Sequence, residues 1–224
     1  MDDEQERLHR QAARMAMLAS LARPVQHEIN NLLTVVFANL EMLKRSAAEG
    51  APQRQLDRIQ EASRRIETSS RALLALVRRP VPDLVELTLT EVVTALRPLL
   101  QVLLQAPGAL TLDPEPDAWP VRLDRALLDE TLLRMVAELV DAVPRGTGLT
   151  LRVTNQPGRE GRPDMAELVM HLPVAASPAV REALQRVARG GCGTLTEAEE
   201  GTVLLLALPR QPPAAEAPAP GAPA

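Results

Sequence analysis

The stretch Leu18-Ala-Ser-Leu-Ala-Arg-Pro-Val-Gln-His-Glu-Ile-Asn-Asn-Leu-Leu-Thr-Val-Val, residues 18–36, decides how the first third of the chain folds. Its apolar residues continue outward as Leu18, Leu21, Val25, Ile29, Leu32, Val36, Leu40 and Leu43, at alternating steps of three and four. That spacing is the signature of one long amphipathic helix with a coiled-coil-like seam. From Gln5 to about Ala48 the only proline is Pro24, so nothing else interrupts the helix.

Gly50 and Pro52 end this helix, and a second periodic stretch runs from Gln53 to Arg79 through Leu56, Ile59, Ile66, Leu73, Leu74 and Val77. Two long helices joined by a tight turn predict an antiparallel hairpin. So much apolar surface exceeds what one hairpin can bury, which predicts pairing of two copies into a four-helix bundle. Pro80 and Pro82 then mark a linker.

Beyond the linker the pattern alternates. Strands are expected near 85–89, 110, 119–123, 149–154, 167–172, 194 and 203–208, with helices over 90–104, 124–143 and 177–189. Such an order predicts one sheet covered by helices. The expected fold class is therefore α+β: a hairpin domain over residues 1–79, a reduced α/β sandwich over 84–210, and a disordered Pro/Ala tail over 211–224.

Composition narrows the function. The chain has 224 residues, 46% of them hydrophobic, which suffices for true cores, and its aromatic share is 1%. With one Trp, one Phe and no Tyr there is no aromatic platform for single-stranded nucleic acid. A net charge of −4 with both signs interspersed offers no basic stripe for a phosphate backbone, so no nucleic-acid partner is expected. The single cysteine, Cys192, has no metal-ligand companions and suits a reducing cytoplasm. The acidic N-terminus does not resemble an export signal, and the apolar runs fall short of a bilayer's span, so no membrane partner is expected.

His27 is two residues from both Val25 and Ile29, about 200° around the helix from each, and so points away from the seam. Glu28 is adjacent, and Asn31 lies one turn on, where i and i+4 side chains are neighbours. A neutral imidazole is a nucleophile, and a nearby carboxylate can orient it or take its proton. By geometry alone, a solvated surface pair fits these residues better than a phosphoryl acceptor does.

The surrounding residues add a likeness. His27-Glu-Ile-Asn-Asn31-Leu-Leu resembles the phosphoacceptor box of sensor histidine kinases of two-component systems, Ile59-Gln-Glu-Ala-Ser-Arg-Arg-Ile66 resembles that family's second dimerisation helix, and the stretch from Trp119 to Leu133 is similar to the start of its ATP-binding domain. The likeness covers roughly residues 16–210 and implies that His27 is the phosphorylated histidine. It implies also that Glu28 assists proton transfer and that Asn31 positions the attacking phosphate. Arg23, one turn before His27, is a candidate to contact phosphoryl oxygens, with a plain surface arginine as the equal alternative.

The family's ATP-binding motifs are not in place. The two asparagine positions of the metal-holding helix fall on Arg134 and Glu138, and Arg134 would oppose a cation. After the strand ending at His171 the chain reads Leu-Pro-Val-Ala-Ala-Ser-Pro-Ala-Val, where the family has Asp-x-Gly-x-Gly. The glycine-rich lid is lacking too, and Gly190-Gly-Cys-Gly193 reads as a turn rather than a phosphate loop. Asp141, before Pro144, reads as an ordinary helix end, while His171 reads as structural and His9 lies in a frayable terminus.

An acceptor box beside a degenerate ATP site implies a cytoplasmic histidine phosphotransferase, relaying phosphoryl groups between receiver-domain aspartates through His27. The resemblance implies receiver domains and a second copy as partners, no cofactor on this chain, and Mg²⁺ on the partner receiver. The alternative is a non-catalytic pseudokinase scaffold that modulates a regulator or a kinase.

Overall fold

The computed structural model describes residues 2–46, 53–78 and 84–212, except 107, 145, 160 and 161. The turn expected at Gly50 and Pro52, the linker at Pro80 and Pro82, and the tail beyond Pro212 lie outside the described residues.

Helix α1 spans Asp2–Ser46 and continues through Pro24, and α2 spans Gln53–Arg78 and packs along it. The seam differs in detail from the sequence expectation. Val25 and Leu32 are buried and Ile29, Val36 and Leu43 half-buried as the period requires, but Leu40 is 40% exposed and Asn39 takes the buried position beside it. Asn39 is tolerated there because its Nδ2 donates to the Val35 carbonyl at 2.7 Å, within the helix itself. On α2 the small residues Ala62 and Ser69 are buried with Leu76, whereas Leu56 and Leu74, expected on the seam, face outward. Small side chains at the contact let the helices approach, and the larger apolar groups remain on the outside.

The second half opens with β1 (Leu84–Thr88), α3 (Leu89–Leu104), β2 (Leu110–Asp113), β3 (Pro120–Asp124) and α4 (Arg125–Ala142). It continues with β4 (Leu149–Gln156), β5 (Met165–His171), α5 (Pro178–Gly190), β6 (Thr194–Ala198), a 3₁₀ turn (Glu199–Gly201) and β7 (Val203–Pro209). The five-stranded sheet has the order β2-β4-β5-β7-β6, parallel between β2 and β4 and antiparallel elsewhere, and β1 and β3 pair separately.

Alternation places Leu149, Leu151 and Val153 of β4, Ala166, Leu168 and Met170 of β5, and Leu204, Leu206 and Leu208 of β7 on one buried face. The apolar sides of α3, α4 and α5 cover it, so the core is one layer of helices on one sheet. Helix starts are set by side-chain caps: Thr88 and Glu91 form a reciprocal capping box on α3, Asp124 caps α4 and Ser177 caps α5.

Backbone pairing continues for two residues past the end of β7. Arg210 bridges Val121, and the Gln211 N–H donates to the Pro120 carbonyl at 2.7 Å.

Candidate functional site

His27 lies on α1 with its side chain exposed. The i to i+4 geometry brings Asn31 beneath it, and Asn31 Nδ2 lies 3.1 Å from His27 Nδ1. That contact fixes the plane of the imidazole and leaves Nε2 as the outward nitrogen. Attack through Nε2 requires the tautomer with its proton on Nδ1. With that tautomer the Asn31 carboxamide would have to present Oδ1 rather than Nδ2 to the ring, which an amide flip allows.

Glu28 is half-buried, and its carboxylate forms an ion pair with the Arg65 guanidinium of α2 rather than with the ring beside it. The pair joins the two helices of the hairpin at the level of His27. The side chain of Arg23 lies outside the described residues, as does that of His9.

Helix α3 packs against both α1 and α2. Its C-terminal end, where Gln105 takes a left-handed conformation, faces the histidine across a cleft of about 620 Å³. His27, Glu28 and Asn31 line one wall, Glu61 and Arg65 of α2 the next, and Gln101, Gln105 and Gly108 the far side. Sequence reasoning brought together His27, Glu28 and Asn31 but missed Arg65 and the α3 wall. Arg65 carried a signal only as part of the stretch likened to a second dimerisation helix.

The two elements on which the resemblance would place nucleotide chemistry meet elsewhere, at the end of α4 and the segment after β5. Leu139, Val140, Val143, Leu149 and Pro173 line a small apolar space of about 20 Å³ there, about the room of one water. Arg134, at a metal-holding position of the resembled family, is bound to Glu130 at 2.7 Å, and Asp141 is exposed at the helix end. No cluster of three His, Cys, Asp or Glu side chains at metal-binding spacing occurs among the described residues.

The segment Leu172–Ala176 is pinned to the 3₁₀ turn by Leu172 N–H to Thr202 O and Ala176 N–H to Gly201 O. Gly190–Gly193 forms the turn that ends α5: the Gly191 N–H bonds back to Val187 and Ala188, and the Gly193 N–H to Ala188. Cys192 and His171 are exposed. Among the described residues no helix is long and apolar enough to cross a membrane.

Comparison with known proteins follows the same division. Residues 17–80 match the His Kinase A (phospho-acceptor) domain family. The sensor kinase CckA of Brucella abortus (strain 2308) is 30% identical over 151 residues, 67% of this chain and 16% of that protein. The chain thus spans about a sixth of the length of this curated relative. Among solved structures, the histidine kinase ThkA, crystallised with the response regulator protein TrrA, is similar at 16% identity, with 93% of this chain and 66% of that one covered and a TM-score of 0.41. A histidine kinase from Burkholderia phymatum STM815 is similar at 14% identity, with 88% and 97% covered and a TM-score of 0.42.

Proposed function

The chain belongs to the two-component histidine kinase family through its phospho-acceptor domain, and from that premise we propose that it is a histidine phosphotransferase, moving a phosphoryl group between receiver-domain aspartates through His27 without using ATP. One observation carries this reading: the exposed imidazole of His27 is held by Asn31 at the mouth of a 620 Å³ cleft. The small, apolar-lined space between α4 and the end of β5 supports it.

In the proposed reaction the Nε2 lone pair of neutral His27 attacks the phosphorus of an aspartyl phosphate on the receiver. The bond from phosphorus to the aspartate oxygen breaks, and its electron pair leaves with the carboxylate. The Nδ1 proton stays on the ring and is donated in a hydrogen bond to Asn31 Oδ1. Transfer to a second receiver reverses the step. Positioning supplies most of the rate, since the donor brings its own activated phosphoryl group. The partner receiver holds the Mg²⁺ that neutralises the oxygens, and Glu28 and, from the preceding turn, Arg23 complete the proposed site.

A homodimer is part of the proposal. Leu33, Phe37 and Leu40 form an exposed apolar stripe on α1, with Leu56 and Leu74 exposed on α2, and a second hairpin is the partner that would bury them. The reading places the protein in the cytoplasm, where a free thiol such as Cys192 stays reduced.

The test is transfer from a phosphorylated receiver to the purified chain. Label appearing on the wild-type protein and lost in His27→Ala supports the proposal; no label on the wild type, under conditions where the receiver stays phosphorylated, sinks it. A steric scaffold would act in cells equally well as His27→Ala.

A further inference from the structure

The proposed transfer brings a phosphoryl group carrying close to two negative charges into a cleft already lined by two carboxylates, Glu28 and Glu61. Among the described residues lining the cleft, Arg65 is the one permanent cation. It pairs with Glu28, which directly follows His27 on α1, and it lines the same cleft as the ring. The Arg65 side chain is 59% exposed against 21% for Glu28, so it can move without disturbing the core while the carboxylate stays in place.

Resting on the phosphotransfer reading above, we propose that Arg65 is a phosphoryl-contacting residue, which is held by Glu28 while His27 is free and passes to the phosphoryl oxygens when the group is on His27. The planar fork of a guanidinium matches two oxygens of a phosphoryl group as it matches a carboxylate, so one side chain serves both partners in turn. Glu28 thereby keeps the cation ordered beside the nucleophile before the donor arrives. Once released, the carboxylate faces the cleft beside the phosphorylated ring.

The test uses the full chain in two arms. In the first, label from a phosphorylated receiver is followed onto wild type, Arg65→Gln, Arg65→Lys, Glu28→Gln and the double variant Glu28→Gln/Arg65→Gln. Loss of one charge-assisted contact slows labelling by about ten-fold in Arg65→Gln, with Arg65→Lys in between. The slowing persists when Arg65→Gln is added to Glu28→Gln. If it vanishes in that background, Arg65 acts only by holding Glu28 and the inference is overturned. Arg65→Gln labelled at the wild-type rate overturns it also, and leaves the phosphotransfer reading intact.

The second arm needs no receiver. Phosphoramidate phosphorylates histidine directly, and the ³¹P signal absent from His27→Ala identifies the group on His27. Its ³¹P titration midpoint lies lower in wild type than in Arg65→Gln if the guanidinium contacts the oxygens; equal midpoints overturn the proposal whatever the first arm shows.

Discussion

Asn31 sets its Nδ2 3.1 Å from Nδ1 of His27, one helical turn away. Because both residues ride on the same helix, the ring orientation is fixed by local geometry and survives any movement of the second domain. With Nδ1 engaged by Asn31, Nε2 is the ring nitrogen left for the proposed transfer.

Asn31→Ala therefore frees the ring without altering its burial. Loss of one hydrogen bond of ordinary strength, about 1 kcal/mol, slows labelling of His27 by roughly five- to ten-fold. Asn31→Asp keeps an acceptor against Nδ1–H and is expected to label near the wild-type rate. Equal slowing in both variants would show that the ring-facing atom of Asn31 is a donor.

Phe37 is 64% exposed, and Leu33 and Leu40 flank it on the same side of α1. Ten residues separate it from His27, about 80° around the helix and about 15 Å along its axis, so a second hairpin seated on Phe37 is offset from the histidine by nearly three turns. Phe37→Glu removes about 1.5–3 kcal/mol of burial from each copy, which raises a dimer dissociation constant by roughly a hundred-fold or more. Sedimentation velocity at micromolar concentration is expected to show a dimer for wild type and a monomer for Phe37→Glu. A monomeric wild type would remove the bundle from the proposal.

The helices, strands and their order could be read from the sequence because each follows a local rule. The period through Val25, Ile29 and Leu32 requires a helix, and the alternation in Leu204, Leu206 and Leu208 suits a strand with one buried face. The juxtaposition of His27, Glu28 and Asn31 was legible for the same reason, since i to i+4 neighbours on one helix need no tertiary information. Arg65 was not: opposing it to Glu28 requires the offset between two helices, which the spacing within either one does not encode. The wall of Gln101, Gln105 and Gly108 depends on how α3 docks on the hairpin, a relationship no spacing encodes. Leu40 misled because a strict alternation of three and four drifts from the true helical period, and Asn39 could satisfy its own Nδ2 in the helix.

Gly193 tests the reading of Gly190–Gly193 as a turn. A Cβ added there would stand 2.1 Å from the Ala207 carbonyl oxygen and 2.7 Å from Leu208 Cδ2. The strand backbone cannot yield without breaking the pairing of β6 with β7. Gly193→Ala is expected to cost about 1–3 kcal/mol in urea unfolding, with an unchanged slope. Gly190→Ala meets nothing within 4 Å and is expected to be neutral. Equal stability of the two variants would contradict the packing of this turn.

Asp164 supplies the pH dependence. The Gly158 N–H bonds to one carboxylate oxygen at 2.9 Å and Arg210 to the other at 3.2 Å, and these hold its pKa below the usual 3.8. Arg210 also stands 4.8 Å over the Trp119 ring, so the carboxylate joins the loop after β4 to the end of β7. A carboxyl group with a lowered folded-state pKa contributes stability that is present above its unfolded value and is lost as pH falls through the folded value. Asp164→Ala is therefore expected to lower the melting temperature at pH 7. The difference from wild type narrows below about pH 4 and fades as the wild-type carboxylate protonates. Because the group is solvent-exposed, the effect is modest and shrinks in high salt. A gap between the two melting curves that stays constant from neutral pH down into acid would show that the charge of Asp164 does not hold this loop.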